Sequence, residues 1–159
     1  MLKKVENDAE ILFILNNLRK EDEQELIALY GDNWKEETLA NLKNKDFYVL
    51  YGKCNNSDIK PIAMGDFCRL FPQDNSIACV WLLTTKFIYK NKSLFWKNLI
   101  RMFKQNCLKY DIMYNFIYKS NVQAKKWLKK IGFKFDNPHP DGINLKEGFE
   151  FFYKTKERK

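Results

Sequence analysis

Residues 120–135, SNVQAKKWLKKIGFKF, leave the chain fewer choices than any other stretch. Ser120 or Asn121 places a short side-chain oxygen where it can accept from an orphan N–H at a helix start. Val122, Ala124, Trp127, Leu128 and Ile131 then recur at helical spacing and gather on one face, while Lys125, Lys126, Lys129 and Lys130 take the other. Gly132 stands where the chain must leave the helix through positive φ, and Phe133 can fold back over the last turn. The stretch predicts a capped amphipathic helix, a glycine exit and a short strand over 133–135.

The remainder alternates in the same legible way. Lys3 and Val5 end a short first strand, and Asn7 or Asp8 caps a helix with Ile11, Ile14, Leu15 and Leu18 as its stripe. Glu21, Asp22 and Glu23 open a second helix, where their charges suit the N-terminal dipole. Residues 34–42 give a third, with Leu39 and Leu42 inward. Residues 47–51 and 61–70 read as strands joined by a loop at 55–58. Residues 76–86 follow as another strand whose apolar centre, 77–83, has the character of one buried on both faces. A long helix over 93–108, a buried strand over 112–118, the stretch described first, and a last strand over 148–154 complete the order; 155–159 is a charged tail.

The pattern Asn121, Ala124, Trp127, Leu128, Gly132, Phe133, preceded by the apolar run 112–118, resembles the last conserved block of the GNAT superfamily of acyl-CoA-dependent N-acetyltransferases. The spelling LRKEDEQEL at 18–26 is similar to the opening helix pair of that superfamily, where a leucine-arginine is followed by an aspartate three residues on. Within it, VWLLTT at 80–85 and the small size look like a phage-encoded family that includes internal virion proteins. The resemblance covers nearly the whole chain. It implies an α/β (α+β) fold of GNAT type: one domain over 1–159 with a mixed, mainly antiparallel sheet of about six to seven strands. Helices would lie on both faces, with a splayed parallel pair in the centre.

Composition narrows the function classes. No apolar run approaches the roughly 18–20 residues of a membrane span, and the N-terminus turns acidic before any signal-like segment, so a soluble, cytoplasmic protein is expected, in host cytoplasm or virion if phage-encoded. Cys54, Cys68, Cys79 and Cys107 form no C-x-x-C pair, which suggests free thiols and no metal site. His139, the only histidine, sits in a loop at 137–142, either as a solvated side chain or as a general acid or base. The net charge of +8 attracts polyanions. Only four of the 28 cations are arginine, however, and phosphate and base recognition favour arginine, so nucleic acid is a minor candidate partner. Sixteen asparagines accompany the lysines, as an AT-rich genome would produce.

What the resemblance implies about chemistry comes residue by residue. Backbone groups of Leu83, Thr84 and Thr85 would hold the pantetheine and polarise the thioester carbonyl, because fixed N–H donors stabilise a developing oxyanion. The pyrophosphate would sit at the next helix start, but the turn there, FIYKNKS at 87–93, has none of the superfamily's glycines. Lys90 and Lys92 would substitute point charges, and Ser93 would cap the helix; equally, these are solvated lysines. Leu128 occupies the place of the usual proton-donating tyrosine, with Tyr118 and Tyr114 as stand-ins or core residues. Asp66 is the one acid inside an apolar strand, facing either an ammonium substrate or water. Asn121 is a cofactor contact or a pure cap. Two functions follow. One is acyl transfer from acetyl-CoA or another acyl-CoA to a primary amine on a small molecule or protein. The alternative is a catalytically degenerate shell serving as a virion or host-interaction protein.

Overall fold

The computed structural model describes residues 1–55, 58–71, 74–135 and 145–156; His139 and the loop around it lie outside them. Six strands form one sheet in sequence order: β1 (Leu2–Lys4), β2 (Tyr48–Lys53), β3 (Ile59–Phe71), β4 (Asp74–Thr84), β5 (Ile112–Tyr118) and β6 (Phe149–Thr155). The sheet is mixed and mainly antiparallel, with one parallel pair, β4 and β5. Helices α1 (Asp8–Asn16), α2 (Lys20–Tyr30), α3 (Trp34–Leu42), α4 (Lys92–Cys107) and α5 (Val122–Lys130) flank it. Among the described residues, no helix is long and apolar enough to cross a membrane.

The chain divides into two compact units, residues 1–66 with 82–99, and residues 67–81 with 100–159. In the first, Asn7 caps α1 as the sequence predicts: its side chain accepts from the Glu10 N–H, and Glu10 answers by accepting from the Asn7 and Glu6 N–H groups at 3.4 and 2.6 Å. Glu10 also accepts from the Tyr51 hydroxyl. Ile11, Ile14 and Leu15 are buried as the predicted stripe has them, whereas Leu18, its fourth member, lies past the end of α1 and is half-buried. In α3 the buried residues are Trp34 and Thr38, while Leu39 and Leu42 are half-buried. The β2–β3 register shifts between Leu50 and Tyr51, opposite Pro61, a residue with no N–H to offer a ladder.

In the second unit α5 ends as the opening stretch predicts. Gly132 has φ +92°, its N–H donates to the Lys129 carbonyl and the Phe133 N–H reaches back to Leu128, both at 3.0 Å. These are the paired bonds of a glycine-terminated helix. The Phe133 ring packs edge-on against Phe103 and Phe152, at centroid distances of 5.4 and 5.3 Å. The expected strand over 133–135 does not form. Only a single bridge joins Lys134 to Tyr153, because the Phe133 ring turns into the core one residue after the helix exit. The run 77–83 is not buried on both faces either, since Leu82 is 37% exposed. Along β5, Met113 and Ile117 are buried, whereas Tyr114, Phe116 and Tyr118 are half-buried and oppose Tyr153, Phe151 and Phe149.

Candidate functional site

In a parallel ladder each residue facing the neighbour bonds to two residues there, and the residues on either side of it face away. The β4–β5 pairs are Ile77–Ile112, Ala78–Met113 and Cys79–Tyr114; the next bond due would run from the Phe116 N–H to the Val80 carbonyl. A relay replaces it. Phe116 N donates to Asn115 Oδ1 at 2.8 Å, and Asn115 Nδ2 donates to the Val80 carbonyl at 2.8 Å. The pairing stops at Cys79–Tyr114, although β4 runs on to Thr84 and β5 to Tyr118.

Alternation along β4 then says which backbone groups face away from β3. The Thr85 N–H donates to the Ile62 carbonyl of β3 at 2.9 Å, so Thr84 and Leu82 present their groups to the opposite edge. Thr84 uses its own within the first unit: N–H to Asp22 Oδ2 at 2.9 Å, carbonyl to the Arg19 N–H at 3.0 Å. Leu82 is the residue whose N–H and carbonyl reach that edge between Val80 and Thr84. Of the three residues nominated from sequence, Thr84 and Thr85 have engaged N–H groups and side chains 1% and 0% exposed, and the Leu83 backbone turns toward β3. Leu82 and Asn115 are not among the residues nominated from sequence. An asparagine in the middle of IMYNFIY is the signal that pointed to the second, since a strand interior disfavours it unless its amide has work there.

The Arg19, Asp22 and Thr84 side chains close the end of β4 as one buried cluster. Arg19 Nε and Nη2 bond Asp22 Oδ2 and Oδ1 at 3.2 and 2.5 Å, and the Thr84 hydroxyl lies 2.6 Å from both Asp22 Oδ2 and Arg19 Nε. Burial works against the Arg19 charge, but Asp22, with a contribution from the Tyr89 hydroxyl, raises its pKa above the ordinary value. Asp22 thus serves as a buried ion-pair partner as well as a first-turn charge.

The helix entrance departs from expectation. Residues Lys86–Asn91 form a 3₁₀ helix running directly into α4, and the cap is Thr85, whose side chain accepts from the Phe87 N–H, not Ser93. Ser93 and Lys92 are exposed, and Lys90 donates to Asn55 Oδ1 at 3.2 Å. Asn91 is buried and bonds both backbone groups of Lys53, at 2.8 and 3.0 Å. In the second unit Asn121 is 2% exposed and caps α5, accepting from the Ala124 N–H at 3.3 Å, while its own N–H donates to the Tyr118 carbonyl at 2.9 Å. So Tyr118 and Asn121 come together. A Cβ at Gly148, where φ is +83°, would fall 2.6 Å from Tyr118 Cε2, so the ring is packed against bare backbone. Asp66 is half-buried and belongs to the first unit.

Cys79, on the last rung, is no nucleophile at neutral pH. Burial, with a smaller contribution from Cys68, pushes its thiol up to about 11 from the ordinary 9.0. The folded state therefore favours the neutral thiol: this stabilisation is whole below pH 9.0 and is lost as pH rises through about 11. At pH 8 only about a thousandth of Cys79 is thiolate, so a thiol reagent should label exposed Cys68 quickly and Cys79 only on unfolding, read by mass spectrometry.

No family model matches this sequence, and none of the curated proteins matches it. Solved structures do resemble it in fold. An acetyltransferase from Streptococcus agalactiae superposes with a TM-score of 0.68 at 16% identity, over 98% of this chain and 97% of that one. An acetyltransferase of the GNAT family from Streptococcus pneumoniae gives 0.56 at 14%, over 99% and 100%. A spermidine N-acetyltransferase chimera involving Vibrio cholerae gives 0.61 at 14%, over 98% and 95%. The fold is that of the GNAT acetyltransferases.

Proposed function

We propose that this chain is an N-acyltransferase domain that takes an acyl group from acetyl-CoA or another acyl-CoA and delivers it to a primary amine. The observation that carries this is the end of the β4–β5 ladder at Cys79–Tyr114, beyond which Leu82 turns an N–H and a carbonyl to the β4 edge. A pantetheine arm is an amide chain and can bond such an edge as another strand would. In the transfer, the amine nitrogen attacks the thioester carbonyl, a C–N bond forms, the C–S bond breaks, and the thiolate leaves with a proton. The Leu82 N–H is suited to the transient oxyanion. Tyr118 and Asp66 are the nominated proton donor and acceptor. The phosphates fit less well. The 3₁₀ turn offers no glycine-lined cradle, so Lys90, Lys92 and Ser93 would hold them through side chains; Asn121, the cap of α5, is a separately nominated contact.

Ligand binding to the folded state alone stabilises by about 2.7 kcal/mol at a hundredfold excess over the dissociation constant. For a chain of this size that raises the melting temperature by roughly 5–10 °C. Millimolar acetyl-CoA is expected to produce such a shift, and inorganic phosphate is not. Identical curves with and without acetyl-CoA would overturn acyl transfer and favour a non-catalytic shell.

A further inference from the structure

We propose that the outer face of α5 is a docking surface for single-stranded nucleic acid, with Lys126, Lys129 and Lys130 taking phosphates and Phe135 taking a base. This goes beyond acyl transfer and does not depend on it. By sequence the two compact units differ in charge: the first holds 13 basic and 13 acidic residues, the second 15 and 7, so the whole net charge of +8 falls on the second. Lysine itself is even, with 12 in each unit. A lysine-favouring genome accounts for the lysines, but not for the thinning of acids around one set of them.

Lys126 lies three and four residues before Lys129 and Lys130, so the three exposed ammonium groups share one face, and α5, VQAKKWLKK, holds no acid of its own. Like charges at that spacing work against the helix that carries them, and an anion laid along them reverses the sign. Exposed Lys119 and Lys134 flank α5 in the chain. An aromatic platform stands beside these charges. The half-buried Phe135 ring has its centroid 5.5 Å from Lys129 Nζ and 5.9 Å from Lys125 Nζ. The same ring lines a pocket of about 240 Å³ with Leu145, Phe149, Phe151, Lys119 and Glu150. That is below the roughly 300–1,000 Å³ of sites for drug-sized ligands, so it suits one flat ring of a larger molecule held outside. The Glu150 carboxylate is matched by Lys125. A single nucleic-acid strand brings both parts, since its phosphates are anions and every base has a face to stack. An acidic peptide brings the charge without the ring. Lysine meets phosphate as a point charge, without arginine's planar fork, so binding tolerant of sequence is expected.

The test is fluorescence anisotropy on the full chain with three labelled probes: an oligothymidylate of about 15 nucleotides, heparin and poly-glutamate. The oligonucleotide is expected to bind at low salt, with log K falling against log salt at a slope of about −2 to −3, as three or four phosphate contacts on a single strand give. Lys126→Gln with Lys129→Gln should make that slope shallower by about 1 to 1.5. Lys20→Gln with Lys60→Gln, at two exposed lysines of the first unit, should leave it unchanged. Phe135→Ala should weaken oligonucleotide binding about tenfold and leave heparin, which has no bases to stack, as it was. Because Phe135 also packs on Phe152, at a centroid distance of 5.8 Å, melting curves check each variant. Should the alanine variant not fold, Phe135→Leu keeps the apolar bulk without the ring and is read in the same way. Absence of oligonucleotide binding overturns the proposal, and so does a Phe135 variant that weakens both probes or neither. An equal change of slope in the two lysine pairs moves the surface away from α5 and overturns it as well. Poly-glutamate bound as tightly as the oligonucleotide would overturn it in favour of an acidic protein partner.

Discussion

Asp22→Ala is expected to cost about 3–5 kcal/mol, the usual penalty for stripping one partner from a buried ion pair. Four donors lose a bond to the carboxylate at once: Arg19 Nη2 and Nε, the latter keeping only the Thr84 hydroxyl, and the N–H and hydroxyl of Thr84. The side chains of Arg19 and Asp22 are 2% and 5% exposed, so water cannot replace what is lost. Against a total stability of about 5–15 kcal/mol for a domain of this kind, that is a large share. Urea denaturation measures it directly. The pair as a whole should matter far less than its halves, because removing both charges also removes the need to bury them. Arg19→Met with Asp22→Leu should therefore recover most of the loss. A cost near 1 kcal/mol for Asp22→Ala alone would show that the cluster does not anchor the end of β4.

Phe133→Ala should cost a comparable amount, about 3–5 kcal/mol, as large-to-small changes of buried aromatics do. The ring is 4% exposed and bridges Phe103 and Phe152 through two edge-on contacts. It matters beyond its own volume because α5 buries no residue fully. Deleting the ring should free the exit of α5, so exchange of α5 amides is expected to accelerate more than that of β5 and β6. Uniform acceleration would mean the ring supports the second unit as a whole.

Elements set by local chemistry were readable from sequence. Asn7 and Asn121 announced their helices because a capping oxygen acts within three residues, and Gly132 announced a stop because positive φ has few tenants. The strand over 133–135 was overcalled: two phenylalanines flanking a lysine satisfy a period of two, but one ring was needed in the core. The site was less legible. Leu82, Leu83 and Thr84 are adjacent and alike in sequence, and only the bond from Thr85 to Ile62 reveals which of them turns away from β3. The acidic run 21–23 hid Asp22 because charge at a helix start has a sufficient local explanation. Its partner in Thr84 lies 62 residues away. Asn115 stood in plain sight, but its meaning depends on register, which no single strand carries.

Asn91 offers Lys53 the same donor and acceptor that a neighbouring strand residue would, and its amide also reaches back to the Phe87 carbonyl at 2.9 Å. A helix thereby lends one side chain to finish β2, and the two elements become mechanically a single part. Sliding of the 3₁₀ helix Lys86–Asn91 along β2 would have to break both Asn91–Lys53 bonds together. The entrance to α4 is thereby tied to the edge of β2 through one asparagine.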